Sequence, residues 1–305
     1  MQELYFYALL LFTSMLWAGN FVAGKFLVGH ASTLTLTEMR WGLAVLCLIP
    51  FVWLREKRLF PSRKALLPLF FMGITGVVLF NMFMFLALEK TSADNVGLLS
   101  ALNPVSIALA SFVILHEKLK WQQVGGMLVS LLGVIIVITH GDWQKLLRFH
   151  FNTGDLFMLA AVGTWGLYSV AGKKAMQYVS PYMSTLWSGI IGCLLLLPFD
   201  LFSFEVKNTN PAFWIATLYV SVGATVLAMV FWNLGVQRVG GTRSGVFLNF
   251  NPIFTAILAF FFLKEHMNLI QGIGTLLVIG GVYWFTMQKK ERAETVHATS
   301  CEINR

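Results

Sequence analysis

Apolar stretches of about 20 residues, long enough to cross a bilayer's hydrocarbon core as a helix, follow one another along nearly the whole chain. Lipid offers no partner to a backbone N–H or C=O, so each stretch must pair its own backbone. We read ten helices, near residues 4–28, 33–54, 66–88, 95–115, 121–139, 155–177, 181–202, 211–237, 244–263 and 269–288. The longest connections, 55–64, 140–154 and 203–210, leave no room for an extramembrane domain, and the tail 289–305 is polar. Charged residues make up only 12% of the chain, about half the share of a soluble domain. The expected class is therefore an all-α integral membrane protein in a lipid bilayer. Its net charge of +8 bears on topology and anionic headgroups. It does not indicate nucleic acid, because no basic block is interleaved with exposed aromatics. Cys47, Cys193 and Cys301 suggest no disulfide framework. Met1-Gln2-Glu3 lacks a basic n-region, so the first span is expected to be retained rather than cleaved.

Lys and Arg set the orientation. Fifteen of the 22 fall in the even-numbered connections and at the termini, six in the odd connections, and Arg40 lies within the second span. The positive-inside rule then places both termini in the cytoplasm. Five of the fifteen (Arg55, Lys57, Arg58, Arg63 and Lys64) lie in one connection.

The chain also repeats itself. Gly97-Leu98-Leu99-Ser100-Ala101-Leu102-Asn103-Pro104, leading to Glu117, returns as Gly245-Val246-Phe247-Leu248-Asn249-Phe250-Asn251-Pro252, leading to Glu265. The separations 245 − 97, 251 − 103, 252 − 104 and 265 − 117 all equal 148. The same offset pairs Trp17 with Trp165, Lys25 with Lys173, Pro50 with Pro198, Gly126 with Gly274 and Gly133 with Gly281. Five spans per copy is an odd number, so the second copy must enter the membrane from the opposite face. The expected organisation is a 5+5 inverted repeat around a central cavity. Residues 1–140 form the first copy, 141–154 the connection, 155–288 the second copy and 289–305 a cytoplasmic tail. Inverted repeats with matched helix breaks point to alternating access, with the site at the repeat interface. Pro104 and Pro252 should deprive the carbonyls of Ser100 and Leu248 of their donors, making these four residues candidate bend points.

The candidate substrate contacts follow from helical spacing. Trp17, Asn20, Phe21 and Gly24 share one face, and Trp165, Tyr168, Ser169 and Gly172 repeat it. Aromatic planes beside amides and hydroxyls can stack on a small organic solute and hydrogen-bond to it. Asn81, Asn103, Trp232, Asn249 and Asn251 complete the set, since a buried amide must face a polar group. Helix packing is the competing explanation for each. Lys25, Glu38 and Arg40 form a possible outer-side charge cluster found only in the first copy, functional or mutually paired. Glu117 and Glu265 are expected to organise the turns that follow them. No metal spacing, phosphate loop or nucleophile–base arrangement is present, so neither an enzyme nor a cofactor is expected.

With these residues the chain resembles the ten-helix EamA group of the drug/metabolite transporter superfamily. The resemblance rests on Trp17-Ala18-Gly19-Asn20-Phe21, Arg40, Asn103-Pro104, Asn251-Pro252, the endings Leu115-His116-Glu117 with Gly125-Gly126 and Leu263-Lys264-Glu265 with Gly272, and the duplication. It implies a basket of ten helices around a central cavity and, as in many bacterial members, efflux of amino acids or related metabolites across the inner membrane. Four-helix relatives use a carboxylate midway along the first helix, where this chain has Trp17 and Asn20. Carriers of sugars, nucleosides or drug-like cations remain the alternative. A membrane enzyme or receptor is a further alternative, from another class. The sequence does not fix the oligomeric state.

Overall fold

The computed structural model describes residues 2–139, 141, 142, 144, 152–263 and 269–287. Among them the chain is helical, with only two isolated bridge contacts, Val28–Ala31 and Ala31–Val206. The helices, in our numbering, begin with α1 Gln2–Leu27, α2 Thr33–Glu56, α3 Arg63–Lys90, α4 Ala93–Ser100, α5 Asn103–Leu115 and α6 Trp121–Thr139. They continue with α7 Thr153–Ala175, α8 Pro181–Asp200, α9 Pro211–Val239, α10 Gly241–Gly245, α11 Asn251–Leu263 and α12 Leu269–Thr286. Among the described residues seven helical stretches are long and apolar enough to cross a membrane: Glu3–Leu27, Thr33–Glu56, Arg63–Lys90, Asn95–Leu115, Pro181–Asp200, Pro211–Val239 and Leu269–Thr286. Trp121–Val137 is a shorter apolar helix.

Helix α7 falls outside that set although it has 23 residues, and its position explains why. Fourteen of those residues are buried, Asp155 and Tyr168 among them, and α7 packs against helices from both halves. A helix enclosed by protein need not present an apolar surface to lipid. Local chemistry fixes its start. The side chain of Asn152 accepts the Asp155 N–H while Asp155 accepts that of Asn152, a reciprocal capping box.

Two irregularities recur at matched positions. Helix α3 is π-helical over Gly73–Leu79, and α9 over Tyr219–Leu227. Residues 73–79 shifted by 148 become 221–227. A π turn leaves carbonyls without their usual donors, and side chains supply replacements. Asn81 Nδ2 donates to the carbonyls of Gly76 (3.0 Å) and Val77 (2.8 Å), and Thr225 Oγ1 to that of Val220 (2.7 Å). The second irregularity is the break between α4 and α5 at Ala101–Leu102, matched by a 3₁₀ turn over Val246–Phe250 between α10 and α11.

These breaks differ from the expected proline kinks. Pro104 lies in the first turn of α5, where an absent N–H costs nothing, so it begins a helix instead of bending one. The Leu248 carbonyl is not released, because the tighter 3₁₀ winding brings it the Asn251 N–H. Ser100 Oγ turns back onto the Gly97 carbonyl at 2.6 Å. The Phe247 carbonyl in the second break receives Ser14 Oγ of α1 at 2.8 Å.

The matched helices α6 and α12 lie against each other along their glycines. A Cβ on Gly126 would stand 2.8 Å from the Gly281 carbonyl oxygen, and one on Gly133 2.6 Å from that of Gly274. Low numbers facing high numbers make the pair antiparallel, and adding 148 exchanges one glycine contact for the other. Expectations for Lys264, Glu265 and the tail 289–305 fall outside the described residues.

Candidate functional site: an aromatic and amide cavity between the two halves

Three helices bring indoles together at the centre, and a fourth adds a phenyl ring. Trp17 of α1 meets Trp165 of α7 edge-on, with centroids 5.1 Å apart and planes at 86°. Trp232 of α9 backs both, at 5.6 and 5.7 Å, and Phe80 of α3 lies 4.9 Å from Trp165. Trp17 is anchored through its Nε1, which donates to the Ala224 carbonyl at 2.8 Å, inside the second π segment. Trp165 Nε1 is buried without a partner.

Around these rings lies a cavity of about 30 Å³ lined by Trp17, Asn20, Phe21, Phe80, Asn103, Trp165, Leu248 and Asn251. Two pairs in that lining, Trp17 with Trp165 and Asn103 with Asn251, are related by the 148-residue offset. The three asparagines are each at most 5% exposed, and the Oδ1 of each lacks a hydrogen-bond partner. Asn20 Nδ2 has only the Met84 sulfur, at 3.5 Å. Buried polar atoms are almost always paired, so these four are candidates for pairing with a water or a solute. No charged side chain lines the wall. The cavity is small, with room for a water or two by the measure in which one water needs about 10–15 Å³.

The remaining expected contacts sit elsewhere. Tyr168 stacks behind Trp165 at 4.9 Å and hydrogen-bonds with Asn233, whose Nδ2 also donates to Thr185 Oγ1 at 2.9 Å. Asn81 is engaged with its own π turn. Asn249 Nδ2 donates to Ser130 Oγ of α6 at 2.9 Å. Trp232 lies behind the indole pair and outside the lining. Lys25, Glu38 and Arg40 do not pair with one another. The Lys25 ammonium donates to the carbonyls of Leu88 and Thr91, Glu38 lies beside Cys193 and Asp200, and Arg40 Nε donates to Thr225 Oγ1 at 2.6 Å. Spacing two residues apart on a helix sends Glu38 and Arg40 to opposite neighbours, so the expected cluster divides between α8 and α9. Phe80 was missed by the sequence reading. It lies one residue beyond a π turn that apolar spacing does not reveal, and its repeat partner is Ala228.

The model of the EamA-like transporter family matches twice, over residues 4–139 and 152–287. The chain belongs to the EamA-like transporter family. Its two matches begin 148 residues apart (152 − 4), the spacing found above. An uncharacterized transporter of Archaeoglobus fulgidus is 30% identical over 93% of this chain and 98% of its own length. The uncharacterized transporter YyaM of Bacillus subtilis is 29% identical over 92% and 93%. An S-adenosylmethionine/S-adenosylhomocysteine transporter of Chlamydia trachomatis is 22% identical over 83% and 79%. A protein of known crystal structure shares the fold with a TM-score of 0.77 at 21% identity, over 95% of this chain and 99% of that one. The chain is thus a multi-pass transporter of this family, and its relatives are transporters rather than enzymes.

Proposed function

We propose that this transporter moves small metabolites by alternating access, and that it exports amino acids or related compounds with aromatic or apolar side chains. The observation that carries this reading is one cavity lined by two offset-related pairs, Trp17 with Trp165 and Asn103 with Asn251. A pseudo-two-fold axis through the cavity is the arrangement in which rocking of two halves exposes one site to each face in turn. In this scheme ten spans form a 5+5 inverted repeat in residues 1–140 and 155–288, in a bacterial inner membrane with both termini cytoplasmic. The antiparallel glycine contact of α6 with α12 and the matched π turns and breaks support it.

Neutral amides between indoles suit a zwitterion or an uncharged polar solute better than a phosphate ester, which needs cationic partners. Trp and Phe faces favour apolar bulk and also an ammonium. The relative that carries S-adenosylmethionine, itself an amino-acid derivative, is compatible with this class. Sugars, nucleosides and drug-like cations are the alternative, because the same amides could pair with hydroxyls.

The test is counterflow into proteoliposomes of labelled Phe, Trp, Thr, a hexose and a quaternary amine, with and without a pH gradient. Counterflow of the amino acids, indifferent to the gradient, is the expected result. Movement of the amine or the hexose alone would exclude the amino-acid assignment.

A further inference from the structure

A second cavity, about 140 Å³ and polar, lies at the ends of the helices that line the first. Its walls include Glu117, Lys118, Gln123, Lys173, Thr242 and Arg243. Three chain segments are common to both cavities. Asn103 and Glu117 stand at the two ends of α5, Trp165 and Lys173 are two turns apart on α7, and Thr242 begins the segment that reaches Leu248 and Asn251. Eight residues of α7 separate Trp165 from Lys173, about 12 Å at 1.5 Å per residue. The polar cavity therefore lies along the same axis as the aromatic one, toward the end of the molecule that the Lys/Arg bias assigns to the cytoplasm.

In the wall of the polar cavity stands one ion pair, Lys173 Nζ with Glu117 Oε1. It joins the two halves, since Glu117 belongs to the first repeat and Lys173 to the second. Local structure aims Glu117 at its partner. His116 takes a left-handed conformation (φ 55°) that ends α5, and the Glu117 N–H closes back on the Ser111 carbonyl at 3.3 Å. The repeat equivalent of Lys173 is Lys25, whose ammonium instead binds carbonyls at the end of α3. Among the described residues the inter-half ion pair is made by Lys173 with Glu117; Glu265, the repeat equivalent of Glu117, lies outside them.

We propose that the Glu117–Lys173 pair is the bolt of the cytoplasmic passage, and that the polar cavity is an entry subsite for the transported solute, whose ammonium and carboxylate replace each partner of the pair as it passes. This rests on the alternating-access reading. Both side chains are about one-third exposed, so the pair is weak enough to open and close repeatedly. A zwitterion offers both partners at once, which lowers the cost of breaking it.

The experiment reads access rather than turnover. With Cys47, Cys193 and Cys301 replaced by serine, Asn103→Cys reports on the central cavity through its reaction with a membrane-impermeant maleimide in inside-out vesicles; Phe21→Cys serves where that variant fails to reach the membrane. Glu117→Gln or Lys173→Gln should each raise the labelling rate by up to about five-fold, the range open to an ion pair of this exposure. The charge-swapped double variant Glu117→Lys/Lys173→Glu should return it to the parental value. Unchanged labelling in the single variants, or a swapped variant that labels as fast as they do, overturns the proposal. Pair-dependent labelling in a protein that moves none of the panel amino acids would refute the amino-acid reading and keep the bolt. Counterflow with pair-independent labelling would do the reverse.

Discussion

Replacing Gly281 by alanine tests the contact between α6 and α12, because its neighbour Gly280 provides an internal control. A Cβ at Gly281 would stand 2.4 Å from the Ser130 nitrogen and 2.7 Å from the Gly126 oxygen. Both are backbone atoms of α6, so no rotamer change relieves the overlap. Restoring ordinary contact at 3.4 Å requires the helices to part by 1.0 Å (3.4 − 2.4). A gap of about 1 Å forfeits up to roughly half of each dispersion well across the seam, and overpacking of this kind costs about 1–3 kcal/mol. At Gly280 nothing lies within 4 Å, and alanine there gains helix propensity of up to about 1 kcal/mol. Equilibrium unfolding in mixed SDS micelles should thus rank Gly281→Ala at least about 1 kcal/mol below Gly280→Ala. Equal stabilities would refute the close antiparallel packing and, with it, the principal support for an inverted repeat.

Three further outcomes follow from the polar contacts. Asn233→Leu leaves the Tyr168 hydroxyl and Thr185 without their amide partner and should cost about 1–3 kcal/mol, read by the same unfolding assay; a neutral result would mean these groups find other partners. Asn81→Leu removes the two donors that satisfy the first π turn and should destabilise by a similar amount, about 1–3 kcal/mol, checked by SDS unfolding and by faster amide exchange at Gly76–Asn81. Lys173→Gln breaks a partly exposed pair and should cost less than about 1 kcal/mol, so a larger loss of unfolding free energy would assign that pair a structural role.

The sequence made the membrane class and the duplication legible, because apolar length and a fixed offset survive as one-dimensional patterns. Trp17, Asn20, Asn103, Trp165 and Asn251 were legible as lining for the same reason: helical spacing put the first two on one face, and the repeat doubled the others. Winding was not legible. Nothing in Gly73–Leu79 announces a π turn, so Asn81, which repairs that turn, read as a solute contact. Pro104 and Pro252 stand just beyond the two breaks, but did not reveal that 3₁₀ winding would give the Leu248 carbonyl the Asn251 N–H. The charges of α2 misled for a geometric reason, since proximity in sequence hid the opposite directions of Glu38 and Arg40.

The central claim is that the indole and amide cavity is the route of transport. It is tested most directly by counterflow of whichever panel solute moves, comparing the unaltered chain with Trp165→Ala and Asn251→Ala at equal amounts of folded protein. Loss of at least about ten-fold in each variant, equivalent to 1.4 kcal/mol or more, is the predicted result. Counterflow that persists undiminished in both, with folding verified, would place the route elsewhere and contradict the claim.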